Sequence, residues 1–397
     1  MREKPVRTRP IAATPLIGIV AGEASGDALA ATLIRAVRAR VPGVRFAGVA
    51  GPKMQAEGCE AWYPVEKLAV RGLVEVLRHV PELVRLRREL RARFLTARVP
   101  LFIGVDAPDF NLGLEAKLKA KGVRTVHFVS PSVWAWRPDR IATIGRAADR
   151  ILALFPFEPP LYAAANVAVS YVGHPLAAHA ATSSTRREVR ERFRLRASTP
   201  VFALLPGSRT SEIEMHAETV LRTAALIHEA RPDVQFLVPL ITRSTRELFD
   251  DLRHRLDLAA LPLTLLYGHA GDALRAADVG VVASGTATLE AALARCPHVI
   301  FYRVSRFTYW IVRRKLVVPW VGLPNVLAQR FVVPEFLQED ASPQNLAQAA
   351  LNLYDDGATR RRLEALFATF ATELAVDTGE LAADAVTIEL RAAGVSV

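Results

Sequence analysis

Short apolar runs alternate along the chain with longer stretches whose apolar residues recur at helical spacing. In the first half LIGIVA (16–21), RFAGVA (45–50), LFIGVD (101–106), TVHFVS (125–130) and RILALF (150–155) read as strands. DALAATLIRAVRAR and LGLEAKLKAKG, which follow the first and third of these, read as helices. Continuous apolar strands separated by helices indicate a parallel sheet covered on both faces. The pattern then restarts with VFALLPG (201–207), QFLVPL (235–240), TLLYG (264–268), VGVVAS (279–284) and HVIFYR (298–303). Between the two series lies ATSSTRREVRERFRLRASTP (181–200), polar, basic and without strand character. The expected class is α/β, with two facing Rossmann-like doubly wound domains joined near residues 175–200. The boundaries expected are 1–180, 181–345 and a helical tail, 346–397. Ligands of such sheets bind beyond the carboxyl ends of the strands, so a cleft between two facing domains is the natural site.

A chain of 397 residues exceeds what one core usually organises, and an apolar share of 51% is that of a folded protein. The 51 Lys and Arg against 40 Asp and Glu give a net charge of +11. This favours anionic partners: nucleic acid, acidic lipid headgroups or phosphorylated substrates. Codon preference in a GC-rich genome accounts for part of the arginine excess. Cys59 and Cys296 stand far apart and belong to no metal-binding pattern, which argues for a reducing cytosol. The basic start and the apolar run after it resemble a leader, but Pro15 interrupts them and a buried first strand is the better reading. No apolar run reaches transmembrane length.

Two stretches depart from the strand–helix alternation. Residues 68–98 carry eight arginines among leucines and valines at helical spacing, interrupted by Pro81. Residues 301–325 mix six aromatics with five Arg and Lys. Both suit a surface resting on anionic lipid. An ordinary solvated helix for the first and a core or domain-interface segment for the second are the plainer readings of each stretch taken alone, while the two together point to contact with an amphiphile.

The candidate chemistry sits where strands end. GEASGD (22–27) opens the first helix; its glycines permit a sharp turn and its free N–H groups attract anions, while the spacing is not that of a dinucleotide fingerprint. Glu23 lies on that loop, either against substrate or as a helix cap. In GVDAPDFN (104–111) the two aspartates are three apart with no histidine near, a poor chelate. Asp106, the first polar residue past its strand, is placed to take a proton from a sugar hydroxyl, or only to cap a turn. Asp109 and Asn111 read as turn and helix-cap residues. LLPGSRTSEIEMH (204–216) offers Arg209 as a bidentate donor to a diphosphate. ASGTATLEAAL (283–293) repeats the device with Ser284, Gly285 and Thr286 at a helix start and Glu290 within reach of ribose hydroxyls. Capping alone explains Ser284 and Thr286, but two phosphate-type loops mark the second domain as the nucleotide domain. SPSVWAWRPDR (130–140) reads as a lid or an interdomain wedge, and His174 in VGHPL as structural.

Taken in order, GEASGD, AGPKMQAEGCEAWY, GVDAPDFN, SPSVWAWR, GHPL, LPGSRTSEIEM, ASGTATLE and LPN closely resemble the lipid-A-disaccharide synthase family. The resemblance implies a GT-B type, inverting glycosyltransferase that needs no metal and no cofactor. It would join UDP-2,3-diacylglucosamine to 2,3-diacylglucosamine 1-phosphate, giving the β(1→6) disaccharide 1-phosphate and UDP. The setting it implies is the cytoplasmic face of a Gram-negative inner membrane, with an anionic membrane surface as partner and no nucleic acid. It assigns Asp106 as the base and Glu23 to the acceptor side. Arg209 goes to the diphosphate, Met215 to the nucleotide pocket, Glu290 with Ser284 and Thr286 to ribose and phosphate, and Asn325 to the donor site. Departures are a basic N-terminal extension, Gly322 where serine is expected before LPN, and Val99-Pro100-Leu101 where a Pro-Asp pair is common. The C-terminal helices leave two arrangements open, packing back on the first domain or exchange with another subunit in a homodimer. A two-domain enzyme acting on a UDP-sugar alone, such as a 2-epimerase, is the competing reading. A nucleotide-binding membrane-surface protein without catalysis is a second, and RNA binding fits worst, because no recognition module is present.

Overall fold

The computed structural model of the chain describes residues 14–68, 73–136, 140–181, 184–304 and 319–397. Contacts divide it into two units, one of Met1–Val133, Asp139–Val172 and Asp377–Val397, the other of Trp134–Pro138 and Gly173–Val376.

The first unit is a seven-stranded sheet of β1 (Leu16–Ala21), β2 (Arg45–Ala50), β3 (Cys59–Pro64), β4 (Leu101–Val105), β5 (Arg124–Phe128), β6 (Arg150–Ala153) and β7 (Ala168–Tyr171). The order is β3-β2-β1-β4-β5-β6-β7 with every pair parallel. Alternation along the strands decides which helix covers which face. Ile17, Ile19 and Ala21 pack with the helices Ala24–Arg40 and Thr378–Ala392. Val20 and Phe102 face the other way, onto Leu86, Leu90 and Phe94 of the helix Leu73–Thr96 and onto Leu114 and Leu118 of Pro108–Lys119. Pro81, expected to interrupt, lies inside the single helix Leu73–Thr96. A missing N–H removes one hydrogen bond, and the apolar stripe from Leu86 to Phe94 anchors the helix regardless.

The second unit holds β8 (Val201–Leu205), β9 (Gln235–Leu240), β10 (Leu263–Tyr267), β11 (Val279–Ala283), β12 (His298–Tyr302) and β13 (Glu335–Leu337), ordered β10-β9-β8-β11-β12-β13 and again parallel. This is the doubly wound order of a Rossmann sheet. Phe202 and Leu204 pack with the helices Thr210–Ala230, Pro343–Asp355 and Gly357–Leu374. Val201, Ala203 and Leu205 face Ala273, Leu274 and Ala291 on the opposite side. The chain passes from the first unit to the second after Val172 and returns after Val376. The returning helix is fastened by Glu389, nearly fully buried, which accepts from Arg124 and, at 2.9 Å, from Arg150 Nε.

Both sheets reverse their strand order once, between β1 and β4 and between β8 and β11. The loops after those four strands are the four chemical motifs of the sequence. The N-terminal extension, residues 137–139 within SPSVWAWRPDR and the middle of the aromatic basic stretch (305–318) lie outside the described residues. Among the described residues no helix is long and apolar enough to cross a membrane.

Candidate active site

At the reversal point of the first sheet, the loops after β1 and β4 touch. A Cβ on Gly22 would lie 2.3 Å from Ala107 Cβ, so only glycine lets them meet. Asp106 and Ala107 both hold left-handed backbone, φ 54° and 44°, which costs a non-glycine residue on the order of 1–3 kcal/mol. Such strain persists only where neighbours fix it. The Asp106 N–H donates to Phe128 O at 2.8 Å, and Asn111 Nδ2 donates to Asp106 O at 2.8 Å. Asn111 also lies 3.3 Å from Val20 O and 3.4 Å from Val105 O, so it ties the ends of β1 and β4 together. It is fully buried and is no helix cap, contrary to the sequence expectation. Asp109 does occupy the first helical turn, where it pairs with Arg140 at 3.0 Å.

Ala107, not Asp106, stands at the cap position of the helix Pro108–Lys119, and no side chain caps it. The Asp106 carboxyl is left half-buried at the strand end. Burial pushes it above its ordinary value; a hydrogen bond from Ala107 N–H opposes that shift, the Glu23 charge adds to it and His127 subtracts from it. Glu23 occupies the cap position of Ala24–Arg40 without making the cap bond, and its Oε1 accepts from Ser25 Oγ at 2.8 Å. The buried Asp27 instead accepts from Gly51, Lys53 and Met54 N–H groups, each at 3.0 Å, locking AGPKM against this helix.

At the reversal point of the second sheet, the N–H groups of Ser208 and Arg209 are taken by Glu212 Oε2 at 2.7 and 3.2 Å. The capacity of this loop for an anion therefore lies in the exposed Arg209 guanidinium, whose Nη1 lies 3.6 Å from Glu212 Oε1. His216, which the sequence reading passed over, is buried and spans from Pro206 O at 2.7 Å to Arg303 O at 3.0 Å, fixing the loop to the end of β12. Met215 is 43% exposed.

The loop after β11 is open. Gly285 (φ 150°) precedes the helix Thr286–Leu293 with no side-chain cap and with nothing within 4 Å of where its Cβ would be. Thr286 is exposed, and Ser284 Oγ donates to Val321 O at 3.1 Å. Glu290 lines a cavity of ≈ 330 Å³ with His179, His269, Asp272 and Arg275, and burial pushes its carboxyl up.

Asn325 is fully buried and hydrogen-bonded at both ends of its amide. Nδ2 donates to Val333 O (2.8 Å) and Glu335 Oε1 (2.7 Å); Oδ1 accepts from Val332 (2.7 Å) and Val333 (2.8 Å) N–H. Its reach to the loop before LPN runs through Glu335, which accepts from Val321 N–H at 2.8 Å and Gly322 N–H at 2.9 Å. Glycine at 322 is explained locally: a Cβ there would lie 2.2 Å from Ile300 Cδ1. His174 accepts from Leu176 N–H at 3.2 Å, and burial pushes it down to about 4, so it is a neutral structural group at neutral pH. Among the described residues no group of three or more His, Cys, Asp or Glu is arranged to hold a metal ion.

A family model described as lipid-A-disaccharide synthetase matches residues 17–386. The chain is 52% identical over 370 residues to a lipid-A-disaccharide synthase of Chromobacterium violaceum, covering 93% of this chain and 96% of that one. It is 51% identical over 371 residues to the corresponding protein of Dechloromonas aromatica, covering 93% and 97%. Among solved structures it resembles the UDP-GlcNAc 2-epimerase of Neisseria meningitidis, with TM-score 0.60 at 10% identity over 96% of this chain and 100% of that one. That last likeness is one of fold alone.

Proposed function

This chain belongs to the lipid-A-disaccharide synthetase family, and from that premise we propose how its two strand-end sites divide the work of a glycosyl transfer. The chain is a UDP-sugar glycosyltransferase of the disaccharide-forming step of lipid A biosynthesis. Its donor is UDP-2,3-diacylglucosamine and its acceptor 2,3-diacylglucosamine 1-phosphate. Asp106 takes the proton of the acceptor 6-hydroxyl as that oxygen attacks the anomeric carbon. The bond from the anomeric carbon to the diphosphate breaks, UDP leaves as the anion, and the configuration inverts to β. Glu23 serves the acceptor side. Arg209 and the open helix start at Gly285 and Thr286 meet the charge that grows on the leaving diphosphate. The cavity beside Glu290 receives the nucleoside, with the carboxyl on ribose hydroxyls, and Ser284 and Asn325 hold the surrounding loops. Met215 flanks the nucleotide. No metal enters these steps.

The observation that carries this reading is the half-buried Asp106 carboxyl, held uncapped on strained backbone where the first sheet reverses its order. The test is UDP release and disaccharide formation by purified protein, given the donor with and without the acceptor, in a chelator. Release that needs the acceptor and survives the chelator is expected. Release from donor alone would favour the epimerase-type or hydrolytic reading and sink this one.

The lipid substrates and the +11 charge support peripheral contact with an anionic membrane through the basic stretches. A membrane-bound pool that high salt releases is expected on fractionation, and a salt-insensitive distribution counts against such contact.

A further inference from the structure

Behind Asp106 lies a buried polar cluster that the proposed chemistry does not use. His127 Nδ1 and Glu115 Oε1 are 2.7 Å apart, and both side chains are wholly buried. Gly104 on β4 is the register partner of His127 on β5. Asp106 follows directly on β4, and its N–H donates at 2.8 Å to the carbonyl of Phe128, the residue after His127 on β5, so the base is fastened beside the imidazole's strand. A Cβ at residue 104 would lie 2.1 Å from Glu115 Oε1 and 2.8 Å from Asn111 Cβ. The glycine is thus what admits the carboxylate to the space beneath the base.

This cluster is expensive as structure. Glu115 Oε2, His127 Nε2 and Asn111 Oδ1 are all buried without a hydrogen-bond partner, and each such atom costs about 1–3 kcal/mol. Well-packed apolar residues in place of a buried ion pair are often neutral or stabilising, so stability does not account for the pair. Its position does. The charged groups acting on the cluster are Asp106, beside His127, and Lys119, beside Glu115, while Glu23 acts on Asp106 itself. Lys119 is held at a distance by Gly145 O (3.1 Å), Ala148 O (2.9 Å) and Asp149 (3.2 Å).

We propose that Glu115 and His127 are positioning residues for the Asp106 base, Glu115 fixing the imidazole so that its positive end keeps the neighbouring aspartate ionised and ready to accept a proton. The proposal rests on the role given to Asp106 above. It matches the electrostatics at that carboxyl, where burial and Glu23 favour the protonated form and His127 opposes them. It also gives a reason for a buried acid on β4's following helix: burial pushes the Glu115 carboxyl up, and His127 and then Lys119 draw it back.

The experiment compares the pH profile of kcat/KM for acceptor-dependent UDP release in the wild type, Glu115→Gln and His127→Gln, with thermal melting alongside. A base that loses a neighbour favouring its ionised form protonates more readily. The acidic limb therefore moves to higher pH by roughly one unit, and activity recovers as pH is raised. Glu115→Gln preserves shape and an acceptor oxygen, so it carries the test should His127→Gln fail to fold. A lowered plateau with an unmoved acidic limb in Glu115→Gln would mean a purely structural pair and overturn the proposal. A carboxyl ¹³C titration of Asp106, assigned by its loss in Asp106→Asn, reads the same displacement without turnover. If the wild type releases no UDP, the functional reading fails, and an unmoved Asp106 midpoint in Glu115→Gln still overturns this inference independently.

Discussion

At residue 106 two demands oppose each other: a base must be ionised, yet a carboxyl shielded enough to meet a sugar hydroxyl is pushed toward its neutral form by burial. The acidic limb of the activity profile is accordingly expected above the ordinary aspartate range. Glu23→Gln removes a negative neighbour, which favours ionisation, so it should move that limb to lower pH, opposite in sign to Glu115→Gln. A shift upward in Glu23→Gln would show that Glu23 does not act on Asp106 as a charge. Asn325→Ala tests another residue. All four bonds of a buried amide are lost with it, so the protein should lose about 2–3 kcal/mol in thermal or denaturant unfolding. An Asn325 that acted only by touching donor would weaken donor binding and leave the melt unchanged. Asp106 was legible in sequence as the first polar residue past an apolar strand, and Arg209 as the cation of a Gly-Ser-Arg loop between a strand and a helix. His216, Glu335 and the Glu115–His127 pair were not, since their partners lie on other elements and no local spacing reports them.

Elements were legible in proportion to their burial. The ten strands expected from sequence include every interior strand of both sheets, because a strand covered on two faces is an unbroken apolar run. The three that sequence reading missed, β3, β7 and β13, are all edges. CEAWYP, AVSY and EFL are short or partly exposed, and an edge has one neighbour to satisfy. Pro81 misled for a related reason, since a proline in sequence signals a break that tertiary packing of Leu86, Leu90 and Phe94 overrides. The return helix Thr378–Ala392 depends on one residue more than its length suggests. Glu389→Ala leaves Arg124 and Arg150 without their shared carboxylate, and unfolding should become easier by about 2–3 kcal/mol. A melt within experimental error of wild type would mean that the apolar face of Ala382, Val386 and Leu390 suffices.

For the whole molecule, the repeated strand order is the organising fact. Each unit reverses its sheet once, and each reversal carries two of the four loops that the sequence singled out. Asp106 and Glu23, the proposed acid–base groups, stand at one and Arg209 with the open helix start at Gly285 at the other, the division of labour that the proposed transfer between a sugar hydroxyl and a sugar diphosphate requires. The excess of arginine was less informative, because much of it forms ion pairs and stacking contacts within the fold. Arg93 lies over the Trp62 ring at 4.0 Å and Arg87 over Phe110 at 4.9 Å, in a stretch that composition alone offered to lipid. The measurement that bears most directly on the account is acceptor-dependent UDP release by Asp106→Asn, with UDP binding measured on the same preparation. Loss of release by several orders of magnitude, with UDP affinity and melting unchanged, is the predicted result. Release at near wild-type rate from a protein that still binds UDP would contradict it, and the base would have to be sought elsewhere.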